Sequence, residues 1–95
     1  MRNRFNGHKI CAALSDTTRT KIFEYLLSEY PKARKISEIE KFFQNSFSPT
    51  TISFHLKKLR EAGLVITDGH KQGFRAVPRT VNIIFSKKGF HIKEE

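Results

Sequence analysis

Six side chains fall close together in mid-chain: Thr50, Thr51, Ser53, His55, Lys57 and Lys58. Short hydroxyls can donate and accept toward base edges, and cations further along meet phosphate oxygens, so the set suits a nucleic-acid groove. Thr50, Thr51 and Ser53 are the candidate base-reading residues, with Pro49 leading them. Phe54 has two readings that the sequence leaves open: its ring contacts a thymine methyl group, or it packs against the domain. His55 either donates to a phosphate or packs locally. Lys57 and Lys58 are placed for at least one phosphate contact, although such lysines are often only solvated.

The element that must position these groups is the run Ser48 to Val65, SPTTISFHLKKLREAGLV. Ser48 can cap free backbone N–H groups, and Pro49 at the first helical position has no N–H to leave unsatisfied. Phe47 and Ile52 can form a hydrophobic staple across that cap. Ile52, Leu56, Leu59 and Ala62 make one apolar stripe that needs a core, so the polar face is left outward. Gly63 supplies a stop, and Leu64 to Ile66 read as a strand. The other face of such a helix, followed by a strand, is how a winged helix-turn-helix presents its reading helix to DNA.

The flanking elements fit that layout. His8 to Leu14 reads as a short first helix. Asp16 caps a longer one in which Ile22, Phe23, Leu26, Leu27 and Tyr30 recur until Pro31. Pro31 to Lys35 is basic and irregular. Ser37 and Glu40 then have capping-box spacing for a short helix with Ile39, Phe42 and Phe43, and Asn45 to Phe47 make a turn. Leu64 to Thr67 and Phe74 to Val77 are expected as strands around the polar loop DGHKQG, which makes a β-hairpin wing. Within the wing, His70, Lys71 and Arg75 can reach backbone or minor groove, or form a solvated tip. From Arg79 the signals conflict. Thr80 can cap a helix ending at Gly89, while Val81, Ile83 and Phe85 alternate as in a strand; the reading taken is helix. The expected helices span 8–14, 16–30, 37–44 and 48–62, with the wing at 64–78 and an ambiguous tail at 79–95. The fold class is α+β, mainly α, in a single domain over residues 1–95.

Charge points to the same partner. The formal net charge is +9 and the isoelectric point near 10.1, which argues for a polyanion without distinguishing DNA from RNA or an acidic membrane surface. From Ser48 to Lys93 nine Lys and Arg residues face only Glu61 and Asp68, so the basic charge sits with the reading helix and the chain beyond it. The nine phenylalanines are open to an RNA-stacking reading, but Phe23, Phe42, Phe43 and Phe47 occupy core-like or staple positions. No apolar run has the ~18 residues of a membrane span, and MRNRFNGHK lacks the apolar region of a signal peptide. The single Cys11 suits a reducing compartment, so a cytoplasmic protein is expected.

Competing chemistries are thin. His8 and Cys11 lie three apart and can share a helix face, but two ligands do not make a metal site. Cys11 as a redox switch is a separate alternative, as is a winged-helix module used for protein assembly. Arg19 can bind phosphate or hold a structural pair. No phosphate loop, nucleophile motif or carboxylate pair in an apolar setting points to an enzyme or a cofactor.

LSDTTRTKIFEYL (Leu14 to Leu26) and TTISFHLKKLREAGLV (Thr50 to Val65) resemble the ArsR/SmtB class of transcriptional repressors. Thr51, Ser53, His55, Leu56, Leu59, Ala62, Gly63, Leu64 and Val65 match that family's reading helix. MarR-like and other winged-helix repressors share parts of the pattern. The resemblance implies a homodimer that binds an inverted-repeat operator in double-stranded DNA and blocks transcription. The family's metal sensors carry a Cys-x-Cys-type pair on the first helix of the helix-turn-helix, or Asp, His and Glu ligands on a C-terminal helix. Here those places read SEIEKFF and TVNIIFSKKGFHIKEE, so neither metal pattern transfers.

Overall fold

Eight side chains are fully buried together: Ile22, Leu26, Ile39, Ile52, Leu56, Leu59, Val65 and Phe74. They come from three helices and both strands of a hairpin, so one core holds the wing to the helical bundle. The computed structural model describes residues 7–87 and 89–94. Its elements are α1 (Gly7–Leu14), α2 (Thr17–Glu29), α3 (Ile36–Phe42), α4 (Pro49–Glu61), β1 (Val65–Thr67), β2 (Phe74–Ala76), β3 (Val81–Ser86) and β4 (Gly89–Glu94). This is a mainly helical winged helix-turn-helix with a two-stranded antiparallel wing. The reading of the N-terminal MRNRFN falls outside the described residues.

Local chemistry fixes each helix end. Asp16 accepts from the backbone N–H of Arg19 at 2.9 Å, capping α2. Ser48 Oγ accepts from the Thr51 N–H at 3.1 Å with Pro49 at the first helical position. At the far end of α4, Gly63 takes φ +78°, and the N–H groups of Gly63 and Leu64 donate to the carbonyls of Arg60 and Leu59. Those two bonds form a Schellman stop, and Leu64 is buried just beyond it. Between α3 and α4 the chain turns through left-handed Gln44 and Asn45, at φ 55° and 61°.

The structure corrects the start of α3. The helix begins at Ile36, and it is Glu38 that accepts from the backbone N–H of Lys35, at 2.8 Å. Ser37 and Glu40 have the same spacing but lie too far into the helix. The chain before α3 is also more ordered than its composition implies. Arg34 pairs with Phe74 in an isolated antiparallel bridge, donating at 2.8 Å and accepting at 2.7 Å, and so adds one residue of strand to β2. Gly73, at φ +93°, allows that approach. A Cβ there would meet the Arg34 carbonyl carbon at 2.7 Å.

The tail departs from the helix reading. Val81–Ser86 and Gly89–Glu94 form a second antiparallel hairpin, with Ile83 opposite Ile92 and Phe85 opposite Phe90, and β4 lies beside α1. The alternation of Val81, Ile83 and Phe85 is the stronger signal, since β-branched and aromatic residues favour a pleated strand that has a partner. Two aromatic positions also differ from expectation. Phe42 is 57% exposed and stacks on Tyr25 at 4.0 Å, and Tyr30 lies outside the core. Phe23, Phe43 and Phe47 are partly buried against the core.

Candidate nucleic-acid interface

The apolar stripe of α4 is turned inward, because Ile52, Leu56 and Leu59 are at most 1% exposed. What remains outward is Pro49, Thr50, Phe54, Lys57, Lys58, Arg60 and Glu61, with Thr51 and Ser53 partly exposed. Pro49, Thr50, Ser53, Phe54 and Lys57 line one shallow open groove, with Ile36 of α3 on its other bank. Five of the residues singled out in the sequence therefore share one surface. Thr51 stands at its edge, where its hydroxyl oxygen accepts from Ser48 Oγ at 3.0 Å and backs the helix cap.

His55 does not join that surface. Its position is three after Ile52 and four before Leu59, which is an inward position on this helix, and the side chain is buried at 7% exposure. Its Nδ1 accepts from Arg19 Nε at 3.2 Å. Burial holds the imidazole below its usual pKa of 6.5, and the Arg19 guanidinium pushes the same way, while the Asp16 carboxylate opposes them. The ring is enclosed and already accepts a hydrogen bond, so His55 lies on the inward side of α4 and not among the outward groups. Arg19 is itself held by the fold. Its Nη1 donates to the carbonyls of Ala13 at 3.2 Å and Ala12 at 3.4 Å at the end of α1, the latter also accepting from Ser15 Oγ at 2.7 Å.

Phe54 is the opposite case. The ring is 51% exposed, with the Arg19 guanidinium 5.9 Å and the Lys58 ammonium 5.5 Å from its centroid. An exposed cation–π contact contributes about 0.5–1 kcal/mol, whereas full burial of a phenylalanine contributes about 1.5–3 kcal/mol. The ring also meets His55 edge-on at 5.4 Å, so one side of it packs on the domain while about half stays exposed beside the groove.

In the wing, Thr67 Oγ1 donates to the Gly73 carbonyl at 2.7 Å and accepts from the Gly69 N–H at 3.0 Å, tying the loop across its neck. His70 and Lys71 are exposed at the tip and Arg75 is partly exposed on β2. His70 lies edge-on to Phe74 at 5.5 Å, so the tip is anchored to a core residue. Arg34 forms ion pairs with Glu29 of α2 and, at 3.4 Å, Glu38 of α3, while its backbone bridge to Phe74 ties the α2–α3 connection to β2. Sequence reasoning missed this Arg34 anchor and the Arg19–His55 contact, since the bridge to Phe74 and the bond to His55 both join residues far apart in the chain.

Cys11 is exposed on α1. Among the described residues, no group of three or more His, Cys, Asp and Glu side chains lies close enough to hold a metal ion. Nor is any described helix long and apolar enough to cross a membrane.

A family of helix-turn-helix domains matches residues 14–68, more than half of the chain, and the protein belongs to that family. The match runs from the last residue of α1 through β1, so it takes in the caps, the turn and the outward face of α4. Such domains are those of DNA-binding transcription regulators. No curated protein and no solved structure matched the chain.

Proposed function

We propose that this protein is a sequence-specific transcriptional repressor of the ArsR/SmtB-like kind, acting as a homodimer on an inverted-repeat operator. The observation that carries the reading is the division of α4. Ile52, Leu56 and Leu59 are buried, while Pro49, Thr50, Ser53, Phe54 and Lys57 line a single outward groove.

In this reading the amino-terminal half of α4 enters the major groove. Thr50 and Ser53 hydrogen-bond base edges, Phe54 contacts a thymine methyl group, and Thr51 holds the cap that aims them. Lys57 and Lys58 meet phosphates beside the groove. His70, Lys71 and Arg75 bring the wing to the flanking backbone. His55 acts from inside, fixing the orientation of α4 through Arg19. The homodimer and the inverted repeat rest on the likeness of Thr50 to Val65 to ArsR/SmtB repressors.

The test is selection of bound duplexes from a random pool by the purified protein. An enriched inverted repeat is the expected result. An enriched single site would overturn the dimeric operator, and absence of any enriched sequence would overturn sequence-specific recognition in favour of a winged-helix assembly module.

A further inference from the structure

A second concave surface lies beside the first, between α1 and α4. Its cationic members are Lys9, Arg19 and Lys58, and Ala12, Ala13 and Ala62 also line it. Glu61 also lines it and pairs with Lys58 at 3.9 Å, both side chains being 44% exposed. Surface pairs at that distance contribute about 0–1 kcal/mol, so Lys58 can exchange Glu61 for a stronger anion at little cost. Arg19 uses Nε on His55 and Nη1 on the α1 carbonyls, which leaves Nη2 without a hydrogen-bond partner among the described residues. The guanidinium is thus held by the fold through Nε and Nη1. The small side chains of Ala12, Ala13 and Ala62 leave room along the cleft for a sugar–phosphate chain.

Phe54 links the two surfaces. It lines the reading groove, and its ring lies within 6 Å of the Arg19 and Lys58 cations that line the cleft. We propose that the α1–α4 cleft seats a backbone phosphate of the bound DNA, held by Lys9, Arg19 and Lys58, with Phe54 standing between that phosphate and the bases. The proposal rests on α4 being the DNA-reading helix, and it assigns to α1 and to Arg19 a contact that the helix-turn-helix alone does not require. Arg19 would give its Nη2 donors to the phosphate while its remaining donors keep the arginine rigid, which reduces the ordering cost of the contact.

The experiment measures the salt dependence of affinity for two duplexes, one enriched by the protein and one of random sequence. Wild type is compared with Lys9→Ala, Lys58→Ala and Thr50→Ala/Ser53→Ala. Each lysine variant is expected to lower the slope of log K against log salt by about 0.9 on both duplexes, and to weaken binding about threefold or more without changing the enriched sequence. Unchanged slopes for both lysine variants would overturn the cleft assignment. If Thr50→Ala/Ser53→Ala still lost the preference for the enriched duplex, the reading of α4 would stand without it.

Because Arg19 also supports the fold, its part is tested from the DNA side by replacing single phosphates with neutral methylphosphonates. One position in each half-site is expected at which wild type loses affinity about threefold or more and a Lys9→Ala/Lys58→Ala variant loses less. A scan with no such position would contradict a shared phosphate seat.

Discussion

Arg19 Nε donates to His55 Nδ1 at 3.2 Å, and the same guanidinium holds the last carbonyls of α1. One side chain thereby joins α1, α2 and the inward side of α4. Truncation as Arg19→Ala leaves His55 and the Ala13 carbonyl without this donor, while the Ala12 carbonyl keeps Ser15. The expected loss is about 1–3 kcal/mol, because unsatisfied polar groups cost more than the net gain of a typical hydrogen bond. Urea unfolding at pH 7 checks it, and a midpoint equal to wild type would show that Arg19 supports nothing.

The buried His55 makes stability depend on pH. Its folded pKa lies below the unfolded value of about 6.5, so above pH 6.5 both states are neutral and the full stability is present. As pH falls from there toward the folded pKa, only the unfolded chain takes up the proton, and stability declines. His55→Gln keeps an acceptor for Arg19 but cannot titrate. Its unfolding free energy is expected to fall less than that of wild type between about pH 7 and pH 5. Equal slopes would remove His55 as the source.

Gly73→Ala tests the wing. At φ +93° an alanine is strained, and its Cβ would press on the Arg34 backbone at 2.7 Å. A loss of about 1–3 kcal/mol is expected, with a lowered melting temperature. A melting temperature unchanged from wild type would mean that the Arg34–Phe74 bridge does not hold the hairpin.

Ser48→Ala removes the side-chain acceptor for the Thr51 N–H and the hydrogen bond to the Thr51 hydroxyl. Loss of such a cap costs about 1 kcal/mol. The variant is expected to weaken DNA binding beyond that of a surface change, since fraying would loosen Thr50 and Thr51. Amide exchange at Thr51 matching wild type would argue that another group caps α4.

What the sequence shows and hides depends on the range of each interaction. The caps at Asp16 and Ser48, the stop at Gly63 and the inward stripe of α4 are local, so residue types at fixed spacing reveal them. The polar loop of the wing is legible for the same reason. The tail misleads because Thr80 offers a local helix start, whereas the strand Val81–Ser86 depends on pairing with Gly89–Glu94. The spacing of His55 from Ile52 and Leu59 already marks an inward position, yet a polar residue there reads as outward unless its partner is known. That partner, Arg19, is supplied by a different helix.

The most direct test of α4 as the reading helix is the affinity of Thr50→Ala/Ser53→Ala for the duplex enriched by wild type, with folding checked by urea unfolding. Neither hydroxyl is part of the core, so wild-type stability is expected within about 0.5 kcal/mol. Preference for the enriched duplex over random sequence is expected to collapse, while weak, salt-sensitive binding to both persists. A folded double variant that still selected the same duplex as strongly as wild type would contradict the assignment.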